Sequence, residues 1–489
     1  MLDRKPYPDR PKTERPKSDW IAGLCSCILH LATLLVLAAW TVGFGIGNRG
    51  GSLTIESGDA EPSELQTFEI SDSAIEPQES LAVDHQTSLT SPAMIESVIQ
   101  SVQPVESAEP SVTDTIASVV EQSVAAGGGS NMGFAEVSLT GRTKENRARL
   151  AKENGGSEES EQAVELALAY LAQHQLNDGS WSMMYGMSCN GECEPSCSGK
   201  DPYRYAATGL ALLCFLGAGK TPDDEQYGTV VSDGIYFLQQ SLRMKSDSAY
   251  WVGTEASAQM YEHGIATLAL CEAYQMTKAK ELKDPCQLAI NFIVLSQYKD
   301  GGWDYHPGTP GDLSIAGWQV MALKSAVAAK LVVPQQTIRS IDQFLDKTRA
   351  GEFMFKYRSA KPSKSMTAIG VLLQIFRSKS KDARAIQKGI EYLAKQEPSR
   401  NDMYYDYYAT QAMFQYGGPL WKNWNYKMRD YLVRTQTPIG HMRGSWWFED
   451  DHSNKIGGRF YGTCMACLIL EVYYRYLPVY GADAEDFRF

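Results

Sequence analysis

Side chains that could carry acid–base chemistry lie beside tyrosines in several parts of the chain. Glu262 and His263 directly follow Tyr261, and Asp406 lies inside a run of four tyrosines. A carboxylate and an imidazole held close together could act as general base and general acid. For each residue taken singly, capping a helix or packing between helices is the favoured interpretation. We predict that one cavity gathers the following residues: Tyr205, Tyr261, Glu262, His263, Asp312, Trp318, Tyr405, Asp406, Arg459 and Tyr461.

Three cysteines, Cys189, Cys193 and Cys197, are each separated by three residues. They could bind a metal ion together with a fourth donor such as His174, although the spacing differs from the C-x2-C pairs of common zinc sites. In an exported domain, a disulfide between two of the three is the favoured interpretation. No cofactor is predicted, and a metal at this loop or free thiols are the alternatives.

The elements that must position these residues recur along the chain. A small residue beside a short apolar run marks each unit, about 50 residues apart. Within residues 284–330, one predicted helix carries a single apolar stripe, and the next is apolar on nearly all sides. This pattern predicts stacked helical hairpins with outer and inner helices, in an open solenoid or a closed ring. The marker residues are Ala207, Ala266, Gly317, Ala368, Ala409 and Gly462.

A short motif, Q-x3-G-x-W, follows two of the predicted outer helices, and a third copy carries an insertion. It resembles the QW motif of the prenyltransferase/squalene-oxidase repeat family, and the resemblance covers roughly residues 155–480. It implies an all-α fold, an α6/α6 toroid with a central apolar cavity, in which the motif is structural. The motif residues are Gln175, Gly179, Trp181, Gln297, Gly301, Trp303, Gln436 and Trp446.

The catalytic residues of that family are not matched in this sequence. A terpene cyclase of this type would need a D-x-D-D motif, and the runs at 222–225 and 448–451 do not match it. A protein prenyltransferase would need Asp, Cys and His around zinc, and only Asp284 and Cys286 have the local spacing. We therefore favour a non-catalytic binding or scaffold module that uses the toroid cavity. The alternative is a diverged enzyme of isoprenoid or other lipid chemistry.

Charge is distributed unevenly along the 489 residues, whose net charge is −12. Residues 51–140 contain many Asp and Glu but no Lys or Arg, whereas residues 141–489 are formally neutral. The repeat region therefore offers no basic surface for nucleic acid, and that class of partner is excluded. The acidic segment, rich in Ser and Thr, contains few large apolar residues and is predicted to be disordered.

An uncharged stretch from Trp20 to Ile46 is long enough to cross a bilayer as one helix. A cleaved signal peptide is the alternative, but the apolar run is longer than usual for one. Basic residues precede the stretch, so the positive-inside rule places the N-terminus in the cytoplasm and the repeat domain on the exported side. The predicted segments are a cytoplasmic tail (1–19), a transmembrane helix (20–47), an acidic linker (48–156) and the toroid (157–489). Beyond the membrane, the expected partner is an envelope ligand, lipid or protein.

Overall fold

A computed structural model describes residues 142–475, apart from 190–191, 194–196, 201–202, 252–258, 359–360 and 378–382. These residues are mostly helical, which confirms the all-α prediction in its coarse form. Two short antiparallel hairpins, which the sequence did not predict, interrupt the helices. The elements are α1 (Lys144–Asn154), α2 (Glu158–Gln173), α3 (Arg204–Gly217), α4 (Gly228–Ser241), β1 (Arg243–Lys245), β2 (Ser248–Tyr250), α5 (Gln259–Thr277), α6 (Lys280–Ser296), α7 (Leu313–Ala328), α8 (Gln335–Thr348), β3 (Arg349–Ala350), β4 (Met354–Phe355), α9 (Lys364–Arg377), α10 (Arg384–Gln396), α11 (Met403–Tyr416), α12 (Gly418–Thr435), α13 (Asn454–Leu470) and α14 (Val472–Arg475).

The helices alternate between an outer and an inner layer. In outer helix α8, Ile338, Ile341 and Leu345 are buried on one face, and the other positions are mostly polar. Inner helix α7 is buried on all sides over most of its length. Inner helices α3, α5, α7, α9, α11 and α13 pack each against the next, and α13 packs against α3. The inner helices therefore close into a ring, the arrangement that the periodicity alone left open.

Each copy of the motif joins two neighbouring outer helices. Gln297 donates one hydrogen bond to Gly301 O in its own turn (2.9 Å) and another to Thr337 O in α8 (3.1 Å). Trp303 is buried, and its indole N–H donates to Ile293 O (2.8 Å). Gln175 and Gln436 make the matching pairs of bonds, with Gly179 O and Val230 O, and with Gly444 O and Ala163 O. Trp181 and Trp446 donate to Leu171 O and Leu432 O.

The third copy of the motif spans the junction between the last and the first repeat. Gln436 follows α12, yet its second acceptor, Ala163 O, lies in α2 (2.8 Å). The glycine of this copy is Gly444, because a Cβ there would lie 2.1 Å from Leu166 O. The residues between Gln436 and Gly444 therefore form an enlarged turn at the seam of the ring, which we define as the contact between α12–α13 and α2–α3.

The folded region begins before residue 157, so the predicted linker 48–156 extends too far. Helix α1 packs against α14 at the C-terminal end of the described residues. Arg142 is buried and pairs with Glu272 in α5 (2.9 Å), which also pairs with Arg475 in α14 (2.9 Å). The boundary was missed because α1 is polar: buried arginines and backbone contacts attach it, rather than an apolar stripe.

The predicted tail 1–19, the transmembrane helix 20–47 and most of the linker lie outside the described residues. In the part of the chain that the structure describes, no helix has both the length and the apolar character needed to cross a bilayer. The most apolar helices there form the inner layer, where neighbouring helices cover them.

Candidate ligand cavity

The N-terminal turns of the inner helices surround a cavity of about 930 Å³. This volume is at the upper end of what small-molecule sites usually enclose. Helices α3, α5, α7, α9, α11 and α13 all contribute to its wall, as do the loops that precede them. The lining residues are Met183, Tyr203, Ala206, Leu210, Tyr261, Glu262, Ile265, Asp304, Tyr305, His306, Ser314, Trp318, Tyr357, Arg358, Ser363, Ser365, Met366, Tyr404, His452, Ser453, Ile456, Gly457 and Tyr461.

Aromatic rings form much of the cavity wall. The ring of Tyr261 meets that of Tyr305 edge to face, with centroids 5.6 Å apart. Tyr404 donates its hydroxyl to Ser314 O (2.7 Å), which fixes the start of α11 against the start of α7. The hydroxyls of Tyr305 and Tyr357 lie 3.5 Å apart. Such a wall offers a ligand apolar ring faces together with a few polar tips.

Glu262 is a buried carboxyl group in this wall. Its Oε2 accepts hydrogen bonds from the backbone amides of Tyr205 (3.0 Å) and Ala206 (3.4 Å), and so caps the N-terminus of α3. Its Oε1 is buried and has no hydrogen-bond partner among the described residues. Burial raises the pKa of Glu262 to about 7, although the two amide bonds oppose that change. Glu262 is therefore close to half protonated at neutral pH.

Ion-paired residues form part of the cavity rim, whereas Glu262 lies in the wall. Arg358, about half exposed, pairs with Asp304 and also lies 3.4 Å from Asp312. Asp312 is fully buried and caps α7 by accepting hydrogen bonds from the backbone and hydroxyl of Ser314. Two carboxylates thus face one guanidinium, so the rim does not present an unpaired cation to an anionic ligand.

The structure brings only part of the predicted residue set to the cavity. Tyr261, Glu262, Trp318 and Tyr461 line it, and Asp312 contacts it through Arg358. Tyr205, His263, Tyr405, Asp406 and Arg459 do not line it. The prediction of one shared cavity is corrected for these five residues.

His263 lies on the other side of α5 from the cavity. Its Nε2 lies 3.0 Å from Ala289 O in α6, and its ring packs against Trp251 and Phe292. Burial lowers the pKa of His263 to about 4, so the ring is neutral at pH 7. Consecutive residues of a helix point about 100° apart, which prevents Glu262 and His263 from acting together.

Asp406 and Tyr405 have structural contacts outside the cavity. Asp406 accepts hydrogen bonds from the backbone amides of Ser399 (2.8 Å) and Arg400 (3.0 Å), and so holds the loop before α11. Burial raises the pKa of Asp406 to about 7. Tyr405 packs against Trp424 of α12. Asp406 therefore fixes the connection between α10 and α11, and Tyr405 contributes to the packing of α11 on α12.

Tyr205 and Arg459 also point away from the cavity. The ring of Tyr205 stacks on that of Phe237 in α4, with centroids 5.8 Å apart. Arg459 donates to the hydroxyls of Thr437 and Ser445 (3.2 Å each) in the enlarged turn at the seam. Arg459 therefore links α13 to the third motif copy.

Several lining residues were not in the predicted set because they lie in loops. Asp304, Tyr305 and His306 follow Trp303 directly, and Tyr357 and Arg358 follow the unpredicted hairpin of β3 and β4. The position of Tyr305 two residues after a motif tryptophan was a usable signal. No comparable signal marked Arg358, since it depends on a hairpin that the sequence pattern did not reveal.

The predicted cysteine cluster separates into two groups. Cys189 and Cys193 lie with His174 and His441, and one donor atom of each residue is within 4.8 Å of the others. Cys197 lies apart, beside Arg459 Nη2 (3.6 Å). The cysteines of the described residues are free thiols, so the structure does not contain the favoured disulfide.

Comparisons with known proteins add no family assignment. No family model and no curated protein matches the chain. Among solved structures, a variant of the type II terpene cyclase MstE from Scytonema, in complex with geranylgeranyl dihydroxybenzoate, aligns with 9% identity over 64% of this chain and 96% of its own, with a TM-score of 0.43. A novel alpha-amylase from Clostridium perfringens aligns with 12% identity over 64% and 97% of the two chains, also with a TM-score of 0.43. A protein from Actinoplanes aligns with 12% identity over 64% and 98%, with a TM-score of 0.40.

Proposed function

We propose that this chain is a binding module whose ring cavity holds a largely apolar ligand that carries a hydroxyl group. The observation that supports this most directly is the buried Oε1 of Glu262, which lacks a partner in the described residues and belongs to a cavity lined with tyrosines. A buried polar atom without a hydrogen bond is costly, and a ligand group could satisfy it.

The hydroxyl group follows from the protonation state of Glu262. With a pKa of about 7, the carboxyl group is a mixture of donor and acceptor forms at neutral pH. A hydroxyl can donate to the ionised form and accept from the neutral form. A ligand with only an acceptor or only a donor would match one of the two forms.

An isoprenoid- or lipid-converting enzyme is the second candidate, and the same carboxyl group would be its acid. The raised pKa makes Glu262 a weaker acid than an ordinary glutamic acid, which is unfavourable for protonating an alkene. Arg358 at the rim is already paired with carboxylates, so it would be a poor clamp for a diphosphate leaving group. The binding function is therefore favoured, and enzymatic turnover is the alternative.

Native mass spectrometry of the full-length protein, released from detergent micelles, would test the proposal. The probes are farnesol, which carries a hydroxyl group, and the hydrocarbon that has the same carbon skeleton but no hydroxyl group. We expect a farnesol adduct that survives release and a weaker hydrocarbon adduct. Ala206→Phe, which fills part of the cavity, should abolish both adducts, whereas Asp406→Asn should leave them unchanged. Equal adducts in wild type and Ala206→Phe would place the ligand elsewhere, and conversion of farnesol by wild type but not by Glu262→Gln would support the enzyme.

We also propose that the ring is a toroid of the terpenoid cyclase and protein prenyltransferase type, held by a membrane anchor on the exported side. The closed inner layer and the three Gln–Trp motif copies support the toroid type. The uncharged stretch 20–46 and its basic N-terminal flank support the anchor. Protease added to spheroplasts, in which the cytoplasmic membrane is intact, should digest the acidic linker and release a fragment containing the ring, whether the ring is periplasmic or extracellular. Protection of the linker under these conditions would contradict the orientation.

A further inference from the structure

We propose that His174, Cys189, Cys193 and His441 form a structural zinc site that fastens the seam of the ring. Two thiolates and two imidazoles are a common donor set for four-coordinate zinc. The donor atoms of the four residues lie within 4.8 Å of one another, and His174 Nε2 is 3.1 Å from Cys193 Sγ. Donors bound tetrahedrally to zinc lie about 3.3–3.8 Å apart, so shifts of up to about 1 Å would complete the site.

Both histidines are oriented as metal ligands usually are. His174 Nδ1 lies 2.7 Å from Tyr170 O, to which it can donate its proton, and Nε2 is then free to bind. His441 Nδ1 lies 3.1 Å from Glu192 Oε2, to which it can donate its proton. Gln173 Nε2 lies 2.9 Å from the same nitrogen, so the metal-bound tautomer requires this amide to turn its oxygen toward the ring. A carboxylate or a backbone carbonyl that accepts from the second ring nitrogen is the usual support of a zinc-bound imidazole.

The remaining nitrogen of His441 is a second, independent indication of a ligand. His441 Nε2 is buried, yet it has no hydrogen-bond partner within the described residues. The imidazoles of His174 and His441 approach each other with centroids 5.0 Å apart. A buried nitrogen without a partner is costly, and a metal ion between the two rings would satisfy it.

Burial and charge are also consistent with a closed structural site. Cys189, Cys193 and His174 are each less than 10% exposed. Tyr170 and Tyr185 pack against the ring of His174 and keep solvent away from it. Two thiolates balance the charge of Zn²⁺, so the occupied site would bury no net charge. A closed four-ligand site leaves no position for a substrate, which distinguishes it from a catalytic zinc site.

A zinc site would also explain two insertions that make the repeats irregular. The third motif copy has four residues more between its glutamine and its glycine than the other copies, and His441 lies in this enlarged turn. The cysteines lie in the long connection between Trp181 and α3, which has no counterpart of equal length after Trp303. The two insertions come from opposite ends of the ring sequence and meet at the seam.

Elemental analysis of the full-length protein, purified in detergent without chelator or reductant, tests the inference. We expect one zinc per chain, and an equal amount bound when cobalt replaces zinc, with the visible bands of tetrahedral cobalt bound to thiolate. Cys193→Ser and His441→Ala should lose the metal. Cys197→Ser is the matched control, because this cysteine belongs to the same loop but lies beside Arg459, and it should retain the metal.

Glu192→Gln provides a readout that does not depend on removing a ligand. Glu192 is exposed, so the variant should fold, and zinc affinity should fall about tenfold because the support of His441 is weakened. A metal-free protein that takes up neither zinc nor cobalt would overturn the inference. So would a mass two protons light with a disulfide between Cys189 and Cys193, or a zinc content unchanged in His441→Ala.

Discussion

At the scale of residues, Glu262 and His263 are adjacent in the sequence but lie on different sides of α5. The sequence predicted that Glu262 and His263 lie near the start of an inner helix, and both are there. It could not predict which of them would face the cavity, because both sides of an inner helix are covered by apolar neighbours. The contact of His263 with Ala289 O in α6 shows that its ring faces α6 rather than the cavity, and no sequence pattern encodes that contact.

Glu262 should make stability depend on pH. Its pKa is about 7 in the folded chain and near 4.5 in an unfolded one, so the folded state binds more protons between these values. Stability therefore falls as pH rises from about 4.5 to above 7, by on the order of 2–3 kcal/mol for this group. Glu262→Gln should be more stable than wild type at pH 8 and nearly equal to it at pH 5, measured by urea unfolding.

The matched control for this prediction is an exposed glutamate, Glu225, which has no buried contact. Glu225→Gln should follow wild type at both pH values. A Glu262→Gln protein whose unfolding free energy changes with pH as steeply as that of wild type would show that the group ionises normally inside the fold.

At the scale of elements, the motif was the part of the fold that the sequence predicted best. Gln, Gly and Trp are conspicuous residue types at a fixed spacing, and their contacts are local to one turn and the next outer helix. The short hairpins were missed because strands of two or three residues leave no alternating pattern. Helix α1 was missed because its attachment depends on buried arginines rather than on apolar residues.

Gly301 should be the most sensitive position of the second motif copy. Its φ is +92°, and a Cβ at this position would lie 1.8 Å from Ser340 O in α8. Gly301→Ala must therefore both strain its own turn and push α8 away, which should cost about 3 kcal/mol or more. Gly308→Ala is the comparison, since Gly308 also has positive φ (+70°) but open space around it. That variant should lose only about 1 kcal/mol.

Thermal unfolding of the two variants in parallel would measure the difference. Equal losses would mean that the conformational strain alone matters and that α8 yields to the added methyl group. Such a result would contradict the view that the motif fixes the spacing between outer helices.

At the scale of the whole ring, closure is the feature that sequence reasoning left open. The periodicity predicted hairpins, but the contacts that close the ring join residues hundreds of positions apart. Gln436 bonds to Ala163 O across the seam, and Arg475 donates to Leu213 O (2.7 Å) at the C-terminal ends of the inner helices. A repeat pattern reveals which contacts recur between successive repeats, but not that the last repeat meets the first. A closed ring also has no exposed end of the apolar inner layer, which an open solenoid would have to cover with capping repeats.

The buried ion pairs near the two ends of the described chain lead to a prediction about where the folded domain begins. Glu272 lies between Arg142 and Arg475, at 2.9 Å from each, and these side chains are almost fully buried. Both arginines hold the pKa of Glu272 below its ordinary value against the effect of burial. A chain that begins at residue 157 lacks Arg142 and α1, so Arg475 alone must balance this carboxylate. Breaking a buried pair typically costs about 3–5 kcal/mol.

We therefore expect a chain of residues 157–489 to unfold at markedly lower urea concentration than one of residues 141–489. Arg142→Met in the longer chain separates the two contributions, because it removes the charge but keeps α1. It should account for only part of the loss, since Arg147 of α1 also donates a buried hydrogen bond to Ala218 O (3.1 Å) and pairs with Glu161 (2.7 Å). Equal unfolding midpoints for the two chains would mean that Arg475 alone compensates Glu272, and that the segment before residue 157 is dispensable for the ring.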